Sequence, residues 1–288
     1  MNFSLNIGMC DPSHYAPLAQ KAEVAGFDSI AVPDSICYPK FSATKYPYTE
    51  DGGREFLENL PFMEALIAVT HMAAVTERIR FCTYVYKLAI RQAALVAKQV
   101  QSIQAFSGDR LDLGIGLSPW PEDFAIAGVP WEKRGKRLDE QIAILRGLET
   151  GEYFGFEGVC HNMPENKMCP APGTPTRIYI GGHSEAALKR AARLGDGWAC
   201  AGAETHEVES YIKRINQLRE EYGTTEKDFR FWTAGQDAFS ADGIERLESI
   251  GVTDVVIGFR DPFAGQPDNL LEEKINMLEW YAGEFIKK

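Results

Sequence analysis

Apolar and polar positions alternate along this chain between a two-residue and a 3.6-residue repeat. Phe3 to Met9 alternates and is rich in strand formers, so it predicts a first strand. Residues 14 to 25 place Leu18, Ala22 and Ala25 on one helical face and stop at Gly26, which suits a helix terminus. Ser29-Ile30-Ala31-Val32-Pro33 reads as a short buried strand, closed by a proline that cannot donate to a ladder. Pro61, with its fixed φ, predicts the start of a helix running to about Thr76. Residues 78 to 85 form the third strand. Residues 91 to 106 form the next helix, with Leu95, Gln99, Val100, Ile103 and Phe106 at helical spacing. Leu111 to Gly116 is the fourth strand. Residues 134 to 149 form a helix whose stripe is Leu138, Ile142, Leu145 and Leu148.

The second half repeats the rhythm. Strands are expected at 177 to 180, 198 to 200, 229 to 233 and 252 to 259. Helices follow at 184 to 194, with Ser184 as N-cap, and at 205 to 222, 241 to 250 and 269 to 286. Strand–helix alternation of this kind predicts an α/β fold with a parallel sheet and right-handed crossovers. Eight such units in 288 residues fit a closed (β/α)8 TIM-type barrel better than a doubly wound open sheet. The open sheet would want G-x-G-x-x-G after the first strand, and Asp11-Pro12-Ser13-His14 stands there instead. With no linker in the pattern, residues 1–288 read as a single barrel domain.

Three connections are long. Residues 34 to 60, after strand two, carry Tyr38, Phe41, Tyr46, Tyr48 and Phe56. Residues 117 to 130, after strand four, carry Pro119-Trp120-Pro121, with Trp131 just beyond. Both follow strands, where barrel enzymes keep their chemistry, and both read as lids over a site. Residues 151 to 176 follow a helix and start at the opposite end of the barrel. Their Glu152-to-Gly158 stretch suggests a hairpin with a structural or oligomer-contact role.

Composition narrows the function. A net charge of −11 argues against a broad phosphate-neutralising surface, so nucleic acid is not an expected partner. No apolar run reaches the roughly 18 to 20 residues of a membrane helix, and the first residues lack the pattern of a signal peptide. Cys10, Cys37, Cys82, Cys160, Cys169 and Cys200 are scattered without a C-x-x-C, which points to reduced thiols and a cytoplasmic protein. The five histidines show no metal-ligand spacing, so no metal is expected.

Ile180-Gly181-Gly182-His183-Ser184 is the strongest local signal. Glycine backbone before a serine-capped helix is suited to an anion, although a tight turn and an ordinary cap explain the residues equally well. Gly114-Ile115-Gly116 favours packing relief over a ligand loop. Asp34 ends strand two on the catalytic rim, either as an acid/base or ring contact or as a turn residue. Cys10, Cys82 and Cys200 read as core residues. Lys87 and Arg91 either meet anions or are surface charge.

The chain resembles the luciferase-like monooxygenase superfamily, and within it the deazaflavin branch that uses coenzyme F420. The resemblance rests on Ala22-Glu23-Val24-Ala25-Gly26-Phe27-Asp28, Glu77-Arg78-Ile79-Arg80-Phe81, Ser107-Gly108-Asp109-Arg110-Leu111, Arg134-Gly135-Lys136-Arg137-Leu138-Asp139-Glu140 and Ile180 to Trp198. It covers most of residues 1 to 200, and the last third matches only in its barrel rhythm.

The resemblance implies an oxidoreductase, often a homodimer, that transfers a hydride between F420 and a small organic substrate. Gly181, Gly182, His183 and Ser184 would hold the cofactor phosphate. Asp34 would lie beside the ring system, with Thr83, Tyr84 and Val85 on a bulge under it. Tyr84-Val85 would be a cis peptide, and Leu117 and Ser118 would line the cofactor. Several deazaflavin-using members have His where Ser35 stands, and the acidic partner after strand four is replaced near Pro119, so no proton-handling residue carries over. The alternatives are an FMN-dependent monooxygenase and a non-catalytic flavin-binding protein. F420 has a polyanionic tail, for which Lys40, Lys45, Arg54, Lys87 and Arg91 are the candidate cations. The aromatic loop 34 to 60 suggests a sizeable apolar substrate.

Overall fold

The structure, a computed structural model, describes residues 1–42, 44–46, 49, 51–260 and 267–286. The first strands are β1 (Asn2–Asn6), β2 (Ser29–Val32), β3 (Arg80–Thr83) and β4 (Leu111–Ile115). An antiparallel hairpin, β5 (Phe154–Glu157) and β6 (Asn162–Asn166), interrupts the series. It resumes with β7 (Ile178–Gly181), β8 (Gly197–Ala199), β9 (Arg230–Ala234) and β10 (Asp254–Ile257). Apart from the hairpin, the strands form one closed parallel barrel. In it β4 pairs with β7, and β1 closes on β10 from Asn2↔Asp254 to Leu5↔Ile257.

The surrounding helices are α1 (Tyr15–Ala25), α2 (Ala65–Ala73), α3 (Ala93–Ser107), α4 (Pro121–Ile126) and α5 (Arg134–Leu148). Then come α6 (Glu185–Leu194), α7 (Thr205–Tyr222), α8 (Ala241–Ser249) and α9 (Leu271–Tyr281). Local chemistry sets their ends. Gly26 closes α1 at φ 101°, and the Ser184 hydroxyl accepts from the Ala187 N–H at 3.3 Å to open α6. β2 and β10 are buried at every position, as strands covered on both faces must be.

Ala31, Cys82, Tyr179, Ala199, Trp232 and Val256 pack inside the barrel. At the strand starts Arg80 meets Asp112 at 2.5 Å and Arg230 meets Asp254 at 2.8 Å. Barrel enzymes keep their chemistry at the other end, where the strands finish. Cys10, Cys82 and Cys200 are all buried, as core residues.

Two expectations are corrected. Pro61 does not open α2. The Glu64 carboxylate does, by accepting from the Ile67 N–H at 2.9 Å, so the helix starts four residues later. Leu95 and Phe106 are 67% and 81% exposed, because α3 turns Val96, Val100 and Ile103 inward instead. The long loop after β4 holds α4, with Pro121 in the first turn and acidic Glu122 and Asp123 beside it. The hairpin expected near 152 to 158 forms, and its second strand is β6. Within the aromatic loop, Tyr48 lies outside the described residues.

Candidate functional site

The strand ends open into a cavity of about 1380 Å³. Pockets for one drug-sized ligand run roughly 300 to 1,000 Å³, so this one has room for a cofactor and a second molecule. Asp34, Tyr84, Val85, Leu117, Ser118, Gly181 and Gly182 line it, brought together from the ends of β2, β3, β4 and β7. Thr83, His183 and Ser184 do not. The Thr83 hydroxyl donates to the Gly114 carbonyl at 2.7 Å, inside the β3–β4 seam.

The Tyr84-Val85 peptide is cis. Flanking amides hold the turn: Tyr84 N–H donates to the Val32 carbonyl and Tyr86 N–H to the Gly114 carbonyl, each at 2.7 Å. The Tyr84 hydroxyl donates to the Cys200 carbonyl on the far side of the mouth. Three glycines make room for this bulge. A Cβ on Gly114 would sit 1.9 Å from the Thr83 carbonyl oxygen. One on Gly116 would sit 2.7 Å from a Val85 methyl, and one on Gly181 would sit 3.0 Å from the same methyl. Gly114-Ile115-Gly116 is thus packing relief.

Gly182 adopts φ +113°, and its carbonyl accepts from the Trp198 indole N–H at 2.9 Å. His183 turns away from the cavity and stacks on Tyr211, with ring centres 5.2 Å apart and 17° between planes. Burial pulls its pKa down, so it is neutral near pH 7. Ser184 spends its hydroxyl on the α6 cap.

Asp34 is not free. Its carboxylate accepts two bonds from Arg91, at 2.7 and 2.8 Å, and one from the Lys87 N–H at 2.8 Å. Lys87 points its ammonium at Asp123, 2.7 Å away, and the Ser118 hydroxyl also bonds that carboxylate. Asp123 itself is 1% exposed. Two buried acids thus hold two bases at the cavity wall, and Lys87 lines the cavity itself. Lys87 and Arg91, offered above as tail-binding cations, are committed to these pairs. Arg54 is held between the rings of Tyr38 and Trp120.

Sequence reasoning noted Asp123 only as an acid a few residues beyond Pro119 and gave it no role, although an acid in the first turn of a proline-started helix was its signal. It missed Glu204, Asp237 and Arg260 on the opposite wall, which follow β8, β9 and β10 where the resemblance runs out. Asp237 accepts from the Thr205 hydroxyl at 2.5 Å and pairs with Arg246 at 3.2 Å.

A family model described as luciferase-like monooxygenase matches residues 9–276. The chain belongs to that family. It is 50% identical, over the full length of both chains, to an uncharacterized protein of Mycobacterium tuberculosis strain H37Rv. It is 27% identical over 201 residues to an F420-dependent glucose-6-phosphate dehydrogenase of Amycolatopsis mediterranei, a match spanning 68% of this chain and 56% of that one. Among solved structures it is similar to the monooxygenase RslO1 from Streptomyces bottropensis. There the TM-score is 0.76, with 18% identity and 99% of each chain covered. The expected barrel and the family are both borne out.

Proposed function

We propose that this luciferase-like protein is an oxidoreductase that transfers a hydride between coenzyme F420 and a small organic substrate bound in the barrel mouth. The observation that carries the reading is the wall of the cavity, where the Val85 bulge and the Gly181-Gly182 backbone lie side by side. The F420-dependent dehydrogenase among its relatives supports the choice of cofactor.

The residues present fit a ribityl-phosphate cofactor. Gly182, at φ +113°, brings backbone without a side chain to the cavity edge, three residues before the start of α6. Gly181 and Gly182 would hold the phosphate. Val85, Leu117 and Ser118 would support the ring, with Asp34 bracing that wall through Arg91 and the Lys87 N–H. When bound, the deazaflavin supplies or takes a hydride at ring carbon five.

The chain's own residues supply the rest. Asp34 keeps Arg91 and the segment after β3 in place. Lys87, bonded to Asp123, ties the helix after β4 to the segment after β3 and fixes that side of the cavity wall. Ser35 lines the cavity where relatives place a histidine, and a hydroxyl there carries no charge. Tyr38, Tyr46, Leu57, Phe62 and Trp120 form an apolar wall suited to an organic substrate. Outward-facing Ile67, Leu95 and Phe106 support a homodimer through α2 and α3. The six free cysteines support a reducing compartment such as the cytoplasm.

A second reading, an FMN-dependent monooxygenase, has one observation in its favour. Glu204, Glu209, Asp237 and Asp268 outnumber Arg246 and Arg260 in the second half of the mouth, a setting that favours a cofactor without the polyanionic tail. Mixing the protein with reduced F420 and a panel of ketones, imines and activated alkenes tests the first reading. Oxidation of the cofactor that depends on a substrate is the expected result. Oxygen insertion into a substrate with reduced FMN and oxygen, and no reaction with reduced F420, would transfer the case to the second.

A further inference from the structure

The Gly181-Gly182 turn is held from behind by β8. Trp198 and Cys200 are two residues apart and so face the same way, out of the barrel toward the helices, while Ala199 between them packs inside it. Trp198 is fully buried, and its indole N–H donates to the Gly182 carbonyl at 2.9 Å. Cys200 Sγ lies 3.4 Å from Nε2 of His183. Burial pushes that thiol up to about 12, so near pH 7 it keeps its proton and donates to the ring. Two side chains from one edge of the strand thus grip two consecutive residues of the turn.

The consequence falls on the peptide between Gly182 and His183. In a planar trans peptide the C=O and the N–H point in opposite directions. Trp198 draws the carbonyl into the buried layer behind the turn. The His183 N–H therefore leaves the opposite edge, on the side where Gly181 and Gly182 border the cavity. Among the described residues that N–H has no acceptor. A glycine at φ +113° permits the following peptide more than one orientation, and the reversed one would aim a carbonyl oxygen at an anion. The Trp198 bond excludes it, because reversal would leave a buried indole N–H without an acceptor, a larger penalty than the net gain of an ordinary hydrogen bond.

We propose that Trp198 is a positioning residue for the cofactor phosphate: it holds the Gly182 carbonyl back and turns the His183 N–H out to a phosphate oxygen. His183 then serves through its backbone, while its ring anchors the turn on Cys200 and Tyr211. The proposal rests on the phosphate reading of this turn given above. It is independent of the choice between F420 and FMN, since both carry a ribityl phosphate.

Two ligand pairs that differ only in the phosphate test it: 5-deaza-FMN against 5-deazariboflavin, and FMN against riboflavin. Each is titrated onto the cofactor-free protein and onto Trp198→Phe, which keeps an aromatic ring in the buried layer and removes the N–H. The ratio of phosphorylated to unphosphorylated affinity should fall about three- to tenfold in the variant, or roughly 0.7 to 1.4 kcal/mol, the range of one neutral hydrogen bond. An unchanged ratio, or loss of both affinities in parallel, would mean that the indole only packs, and would overturn the proposal. Nitrogen-15 spectra of the parent give a second readout that does not require the variant to fold. The His183 amide and Trp198 indole signals should shift with the phosphorylated member of each pair and not with the other, and an unmoved His183 amide would contradict the assignment. If the parent shows no preference for phosphate, the reading of the turn as a phosphate site falls and the role of Trp198 with it. A parent preference that Trp198→Phe retains leaves the site standing and removes Trp198 alone.

Discussion

Arg91 grips Asp34 with both arms of its guanidinium, Nη1 to Oδ2 at 2.7 Å and Nη2 to Oδ1 at 2.8 Å. The carboxylate is fully buried, and the guanidinium also lies 3.8 Å above the Tyr86 ring. This pair sits directly behind the Tyr84-Val85 bulge. A carboxylate so committed is a positioning group for the cavity wall rather than a free base.

Removing one partner should therefore cost stability as well as function. Arg91→Met leaves the Asp34 charge buried and unpaired, a loss of about 3 to 5 kcal/mol. Urea unfolding measures it. A loss below about 1 kcal/mol would show that the pair carries little weight in the fold.

The sequence made the barrel legible because strands buried on both faces leave short apolar runs, and because Gly26 and Ser184 mark helix ends by local chemistry. Boundaries that depend on tertiary placement were not legible. Glu64 displaced Pro61 as the start of α2, and α3 exposed Leu95 and Phe106 while Val96, Val100 and Ile103 face inward. At the site, Asp34 and Arg91 were each noticed, but 57 residues separate them and no local rule joins them. The cis peptide at Tyr84-Val85 came only from family resemblance. Arg54 looked like one of several rim cations, and only its burial between two rings sets it apart.

Gly182 should be intolerant of substitution. A valine there must hold φ +113°, which β-branched residues resist, and its Cβ would meet that of Ala187 at 3.2 Å. Gly182→Val is expected to weaken cofactor binding at least about tenfold, or roughly 1.4 kcal/mol, in a folded protein. Unchanged affinity would remove this turn from the site.

Gly114→Ala should disrupt the barrel itself, since its methyl would lie 1.9 Å from the Thr83 carbonyl oxygen. Overpacking of this kind typically costs about 1 to 3 kcal/mol. Circular dichroism melts should show the loss. A variant as stable as the parent would mean that β3 and β4 move apart easily.

The β5–β6 hairpin should loosen in acid. Burial pushes the Glu140 carboxyl up, but the N–H groups of Cys160, Val159 and His161 outweigh it and hold its pKa below the ordinary value. A carboxylate with a depressed folded pKa stabilises above its unfolded value, about 4.3, and that contribution fades as pH falls through the folded one. Hydrogen-exchange protection factors at Val159 to His161 should fall below about pH 4. Glu140→Gln should show low protection at every pH, and a protection factor unchanged with pH in the parent would contradict the assignment.

The central claim is that the mouth of this barrel takes F420, and titration of the cofactor-free protein with F420 and with FMN tests it most directly. The account predicts F420 binding at about 1 μM or tighter, near 8 kcal/mol, with FMN at least about tenfold weaker and with Gly182→Val weakening F420. Micromolar FMN binding with no measurable F420 binding would contradict it.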